Sequence, residues 1–177
     1  MGKSGVLCTL SEKRLRQLEA SPDLVSELME ARHEVEVPGL LDLDKKWDAL
    51  DCLLSERGRD ALLGDVILAR SGRTIGPELS FGKARVLSAA RVVEISNALG
   101  KLPRDLVRVR YPSLFGKSVH GDYGREPSSA DDTPYVREQV RERQDDEILD
   151  LGRALTRVSA LYTRAAAAGH GMLAALV

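Results

Sequence analysis

The side chains able to bind a metal, move a proton or attack an electrophile are few and widely spaced. His33, His120 and His170 are the three histidines, and none has a second His or Cys at ligand spacing. Zinc needs three or four converging ligands, so no metal site is expected. The DDTP and QDDE runs lack calcium-loop spacing and read as solvated acidic faces. Cys8 falls in an apolar run and Cys52 in an amphipathic stretch, where thiols act as small hydrophobes. No GxSxG elbow exposes a serine. GKS occurs at 2–4 and 116–118, but a phosphate-binding loop needs a glycine five residues before GK. The first match leaves no room for it, and Tyr111 fills the position in the second.

Two groupings remain. Asp42, Asp44, Asp48 and Asp51 crowd one predicted helix start, and the last three share a face at spacings of four and three. Buried like charges raise a carboxyl pKa, which suits acid–base chemistry or a basic partner. With Lys45 and Lys46 adjacent, the plainer reading is capping and a solvated face. The second grouping is the long irregular loop at about 111–134, rich in Gly and Pro and without periodicity. Loops longer than about 12–15 residues in a compact domain are usually functional or disordered. This one carries Tyr111, Phe115, His120, Asp122 and Tyr123, including three of only seven aromatic residues. Aromatics there are favoured contact residues, and they serve equally well to cover a core. The candidate partner-binding set is therefore Asp48, Asp51, Tyr111, Phe115, His120, Asp122 and Tyr123. Segment 101–117 carries Lys101, Arg104, Arg108, Arg110 and Lys117 against Asp105 alone, which locally resembles an RNA-binding patch. The whole chain argues against that.

The chain has 177 residues, with 26 Lys plus Arg, 27 Asp plus Glu and a net charge of -1. So even a balance disfavours a nucleic-acid binder. Two cysteines exclude a disulfide framework and fit a reducing, cytoplasmic setting. No apolar run approaches the roughly 18 residues of a membrane span, and no signal-peptide pattern is present.

Local patterns predict the elements that position these groups. GVLCTL, 5–10, reads as a buried strand, and Ser11 caps a helix after it. A second helix follows Ser21-Pro22. Leu43, Trp47, Leu50 and Leu54 mark a helix over 42–56. Leu62 to Ala69 reads as a strand, and SGRTIGPELSFGKARVLS as a Gly-containing loop ending in an extended Arg85–Leu87. Val92, Ile95 and Leu99 line a Ser88-capped helix over 88–99, and Pro103 opens a short helix to about Arg110. Ile148, Leu151, Leu155, Val158 and Tyr162 stripe a long helix over 136–168, and 172–177 closes as a strand. The expected architecture is one α+β domain over 1–177. It has a small mixed sheet that includes both terminal strands, packed by amphipathic helices.

Several ordered stretches carry a resemblance: the terminal strand with its Ser-capped helix, LDLDKKW, IGPELSFGKARVLSAARVVEISNAL, and ALYTRAAAAGHGMLAALV. Trp47 and the Gly82-Ala84-Arg85-Leu87 pattern weigh most. Together they resemble the bacterial YfbM-like family, DUF1877, a family of unknown function. The resemblance implies an α+β fold with terminal strands in one sheet. It also implies departures, with Asp48 and Asp51 where the family often has histidines and Phe81 where tyrosine is common.

The functional expectation is a non-enzymatic cytoplasmic protein-binding domain, an immunity-type inhibitor being one form, with no cofactor and with the oligomeric state open. The alternative is a small-ligand-binding protein or hydrolase-type enzyme using clustered carboxylates in a cleft. It requires two or more of Asp48, Asp51, Arg85, His120 and Asp122 to converge on a concavity.

Overall fold

Short apolar, β-prone runs at the two ends of the chain meet in the middle of one sheet. In the computed structural model, which describes residues 3–32, 37–56, 59–116, 119, 123–124 and 132–177, β1 is Gly5–Leu10 and β5 is Gly171–Leu176. They pair antiparallel from Gly5↔Leu176 to Leu10↔Gly171. Ser4 and Val177 extend the ladder with reciprocal backbone bonds of 2.8 and 3.0 Å. β2 (Leu40–Asp42) adds outside β1, and β4 (Gly82–Leu87) outside β5. β3 (Arg73–Leu79) takes the far edge, giving the order β2-β1-β5-β4-β3. The α+β class and the shared sheet are as expected. Every pairing of named strands is antiparallel, so the sheet is not mixed.

Helices cover both faces. α1 (Glu12–Ala20) and α2 (Leu24–Ala31) bury Leu18, Val25, Leu28 and Met29 against Val6, Cys8, Leu10, Val86 and Leu173. The opposite face carries Leu7, Leu87, Met172 and Ala174. Above it lie α3 (Lys46–Ser55), α4 (Asp65–Leu68), α5 (Ala89–Leu99), α6 (Leu106–Arg110) and α7 (Pro134–Ala167). This alternation follows from the period of two along a strand. The predicted caps Ser11 and Ser88 form, accepting from the amides of Arg14 and Arg91 at 3.2 Å each, and Thr133 caps the long helix by accepting from the Val136 amide at 3.3 Å. The long helix starts at Pro134, slightly earlier than its apolar stripe suggests, because Thr133 and Pro134 supply cap and first position. Val92, Ile95, Leu151, Val158 and Tyr162 are fully buried on the expected faces, and the Tyr162 hydroxyl donates to the Val66 carbonyl at 2.8 Å.

Three local expectations are corrected. Leu62–Ala69 is a turn and the short helix α4, not a strand. Asp60 Oδ1 accepts from the Leu62 and Leu63 amides at 3.0 and 2.8 Å and starts that turn. A short apolar run does not itself distinguish a buried strand from a buried turn of helix. The Gly-containing loop is the β3–β4 hairpin. Its Pro77 and Gly76 sit where the register shifts between Ile75 and Glu78, on an edge strand, where a missing donor is tolerated. The 42–56 helix begins only at Lys46, because Leu40–Asp42 joins the sheet and Asp42 Oδ1 takes the Asp44 amide at 2.7 Å and the Ser4 hydroxyl at 2.5 Å.

Two glycines decide close approaches in opposite ways. A Cβ at Gly5 would lie 2.3 Å from Trp47 Cβ, so the tryptophan seats directly on the bare β1 backbone. Its indole donates to the Lys3 carbonyl at 3.3 Å. A Cβ at Gly152, within α7, meets nothing within 4 Å. Gly5→Ala is expected to destabilise by about 2–3 kcal/mol through overpacking. Gly152→Ala is expected to stabilise by about 1 kcal/mol through helix propensity. Urea denaturation of the two variants checks both signs.

Candidate functional site

Two buried aspartates organise the segment between α3 and β3. Asp51 on α3 is 6% exposed. Arg70 grips it in a fork, Nη1 to Oδ1 at 2.8 Å and Nη2 to Oδ2 at 2.6 Å, and Nη1 also donates to the Gly64 carbonyl at 2.6 Å. Burial pushes the Asp51 carboxyl above its ordinary range; Arg70 opposes this and the nearby Asp48 charge adds to it. Asp65 is 1% exposed. It accepts from the Ser71 amide at 2.7 Å, the Ser71 hydroxyl at 2.5 Å, and Arg91 Nε and Nη2 at 2.9 and 2.7 Å. Burial opposes its charge, but the bonds from Ser71 and Arg91 outweigh that and hold the carboxyl below its ordinary range.

These clamps bring Arg70 beside Arg85 on β4. Arg85 Nη1 donates to the Arg70 carbonyl at 2.9 Å and the Gly72 carbonyl at 3.4 Å. The two arginines line a cavity of about 230 Å³ with Lys83, Phe81, Leu68 and Ala174. Among the described residues, no acidic side chain lines it. The Lys3 ammonium lies 4.7 Å from the Phe81 ring centroid, and Phe81 is 40% exposed. Asp51 and Arg85 thus meet through Arg70, but Asp51 stands outside the cavity lining. The result is a cationic notch rather than a cleft of carboxylates.

A larger trough, about 990 Å³, runs between α7 and the α5–α6 connection. Leu99, Leu102, Val107, Ile148 and Leu155 supply apolar surface, and Arg104, Arg108, Arg153 and Arg164 surround it with Asp105. Arg108 also pairs with Asp145 at 3.0 Å. Gly152, Ser159 and Ala160 keep the α7 wall low.

The loop aromatics fold inward. Tyr111 is buried, donates to Glu147 on α7, and meets Phe115 edge-to-face at 5.7 Å between centroids. Phe115 and Tyr123 pack against the main core. The Tyr123 hydroxyl donates to Asp150 at 2.8 Å, and burial with that acidic neighbour pushes its pKa up. Asp150 also pairs with Lys46 at 3.4 Å. These residues staple the segment after α6 to the middle of α7. Asp48 is half-buried beside Asp51. His120 and Asp122 lie outside the described residues. Cys8 is buried, and burial raises its thiol to about 11, with Arg14 opposing. Among the described residues no group of three or more His, Cys, Asp or Glu converges to hold a metal ion. Also among them, no helix is long and apolar enough to cross a membrane.

Residues 1–114, from the start of the chain through the turn that holds Tyr111, match the domain of unknown function DUF1877. The chain belongs to the DUF1877 family. Among solved structures, the crystal structure of a protein of unknown function, YfbM from Escherichia coli, superposes with a TM-score of 0.68 at 14% identity. That alignment covers 98% of this chain and 99% of the other. So the fold shared with that protein extends over α7 and β5, beyond the residues matched to DUF1877. No curated protein matches. Both aspartate clamps and the notch lie largely within the matched DUF1877 residues, whereas the trough uses α7, outside them.

Sequence reasoning missed Arg70, Lys83, Asp65 and Arg91. Only Arg85 and Phe81 were visible, through the family pattern. Arg70 and Arg91 lie 19 and 26 residues from the aspartates they hold, which nothing local connects, and Lys83 carries no signal of its own. Asp65 and Asp51 have opposite linkage. The depressed Asp65 carboxyl contributes stability at neutral pH that is lost as pH falls through its folded value. The raised Asp51 carboxyl instead withdraws stability as pH rises from the ordinary carboxylate range through its raised value. Asp65→Ala is expected to cost about 3 kcal/mol at neutral pH by removing the acceptor of four bonds from Ser71 and Arg91, leaving the Arg91 guanidinium with Glu94 alone among the described residues. The variant is expected to lose less stability than the parent between about pH 5 and about pH 3. Chemical denaturation across that range reads both effects.

Proposed function

We propose that the chain is a non-enzymatic protein-binding module, the class to which an immunity-type inhibitor belongs, and that its binding face is the trough beside α7. The observation that carries this reading is an apolar surface left unfilled along α7, from Ile148 to Arg164, with arginines on its rim. That stretch spans roughly 24 Å of helix at 1.5 Å per residue, about the length of a four-turn partner helix. With Arg108 offset by Asp145, the remaining Arg104, Arg153 and Arg164 against Asp105 leave an excess of positive charge. The occupant suited to it is an acidic amphipathic helix with apolar residues at i, i+3, i+4 and i+7. Gly152 gives such a helix room for close approach. Against the carboxylate-enzyme alternative stands the state of its candidate groups, since Asp51 is committed to Arg70 and neither it nor Asp48 lines the notch that holds Arg85.

The test is affinity capture from the native lysate with three baits: the parent, Gly152→Trp and Lys83→Met. The tryptophan fills the trough from a position whose Cβ is unobstructed, so the fold is expected to persist, as circular dichroism checks. A stoichiometric partner held by the parent and Lys83→Met, weakened at least tenfold by Gly152→Trp and released by salt, supports the reading. A partner held equally by all three baits, or by none, overturns it.

A further inference from the structure

We propose that the notch between the β3–β4 hairpin tip and the end of α4 binds a small phosphate monoester. The phosphoryl group would sit against Arg70, Lys83 and Arg85, and its organic group on Phe81. This is independent of the trough and of any protein partner.

Charge comes first. Three cations line a cavity of about 230 Å³ that no acidic side chain among the described residues lines, in a chain whose formal charge is only -1. Like charges gathered this closely repel, so an overall basic composition does not account for them. Arg70 is offset by the Asp51 fork. Lys83 and Arg85 have no carboxylate within 4 Å among the described residues, and Glu78, opposite Lys83 in the register, is not part of the lining. Two uncompensated positive charges match a dianion better than a monocarboxylate.

Geometry comes next. Arg85 is fixed by its bonds to the Arg70 and Gly72 carbonyls, and its remaining N–H groups meet no protein acceptor among the described residues. Arg70 is fixed by Asp51 and Gly64. Both guanidiniums are therefore held before a ligand arrives, which lowers the ordering cost of binding. Arg85 stands opposite Ala174 in the register, and that small side chain leaves the sheet face open beneath the cations. Phe81, partly exposed at the hairpin tip, supplies an apolar wall whose ring already attracts the Lys3 ammonium. A cavity just below the usual range for drug-sized ligands admits a fragment and excludes a folded segment.

The experiment is calorimetric titration of the full chain with phenyl phosphate, inorganic phosphate, benzoate and phenol, repeated on Lys83→Met, Phe81→Ser and Arg85→Lys. Lys83 and Phe81 are exposed, so those variants are expected to keep the parental denaturation midpoint even if Arg85→Lys does not. Saturable phenyl phosphate binding is expected, weakened tenfold or more by Lys83→Met and by added salt. Inorganic phosphate should bind more weakly than phenyl phosphate, and Phe81→Ser should erase that difference. The proposal is overturned if phenyl phosphate gives no saturable binding at millimolar concentration, if benzoate binds as tightly, or if Lys83→Met binds like the parent.

Discussion

The rest of the molecule depends on the pairing of the first strand with the last. β1 and β5 lie side by side at the centre of the sheet, six residues in register, with Ser4 and Val177 continuing the ladder. Without β5 the matched family residues would hold two separate strand pairs, β2 with β1 and β4 with β3, and nothing to join them. The central ladder therefore closes over nearly the whole chain. Loop-closure entropy grows only logarithmically with length, so the cost is modest beside the core that closure assembles. Leu7, Met172 and Leu173, all fully buried, lie at that junction and carry the two opposite apolar faces.

On this sheet the helical layers are unequal, and the inequality generates the surface features. Among the described residues, two short helices cover one face, while five crowd the other and stop short of Lys83 and Arg85 on β4. Where they stop, Lys83 and Arg85 emerge from the strand beside Arg70. The buried aspartates determine how the connection from α4 to β3 lies at that boundary. Asp65 receives four hydrogen bonds and Asp51 a two-pronged guanidinium, so each charge is matched before it is buried. The same aspartates that stabilise the turn also position the arginines of the notch.

α7 has a double role of the same kind. Its inner stripe completes the core through Leu151, Val158 and Tyr162, while Glu147 and Asp150 hold the loop tyrosines. Its flank is left bare beside Leu99, Leu102 and Val107. A helix interior with Gly152, Ser159 and Ala160 along one side neither fills that space nor gains much helical propensity from the glycine. The arginines around it have no comparable density of acids facing them.

Much of this was legible locally. The terminal strands follow from GVLCTL and MLAALV, which are too short and apolar for exposed positions. The helices follow from stripes of period 3.6 and from Ser11 and Ser88 as caps, because these signals are written within a few residues of one another. The YfbM-like resemblance rests on such ordered stretches too. The hairpin at 73–87 was obscured, because its Gly76, Pro77 and Gly82 read as loop residues until an edge strand with a bulge makes room for them. The run 62–69 was ambiguous because four buried apolar side chains suit a strand or a turn of helix equally. The aspartate clustering at 42–51 was visible, yet the fates of Asp42 and Asp51 were decided by Ser4 and Arg70, far away in sequence, just as Glu147 decided that of the loop residue Tyr111. Local sequence thus determined which elements form and which of their faces are apolar. Only the tertiary structure decided which charges are neutralised, which cations remain unmatched and where apolar surface stays uncovered. Those outcomes depend on distances between side chains that the chain brings together only when the sheet closes.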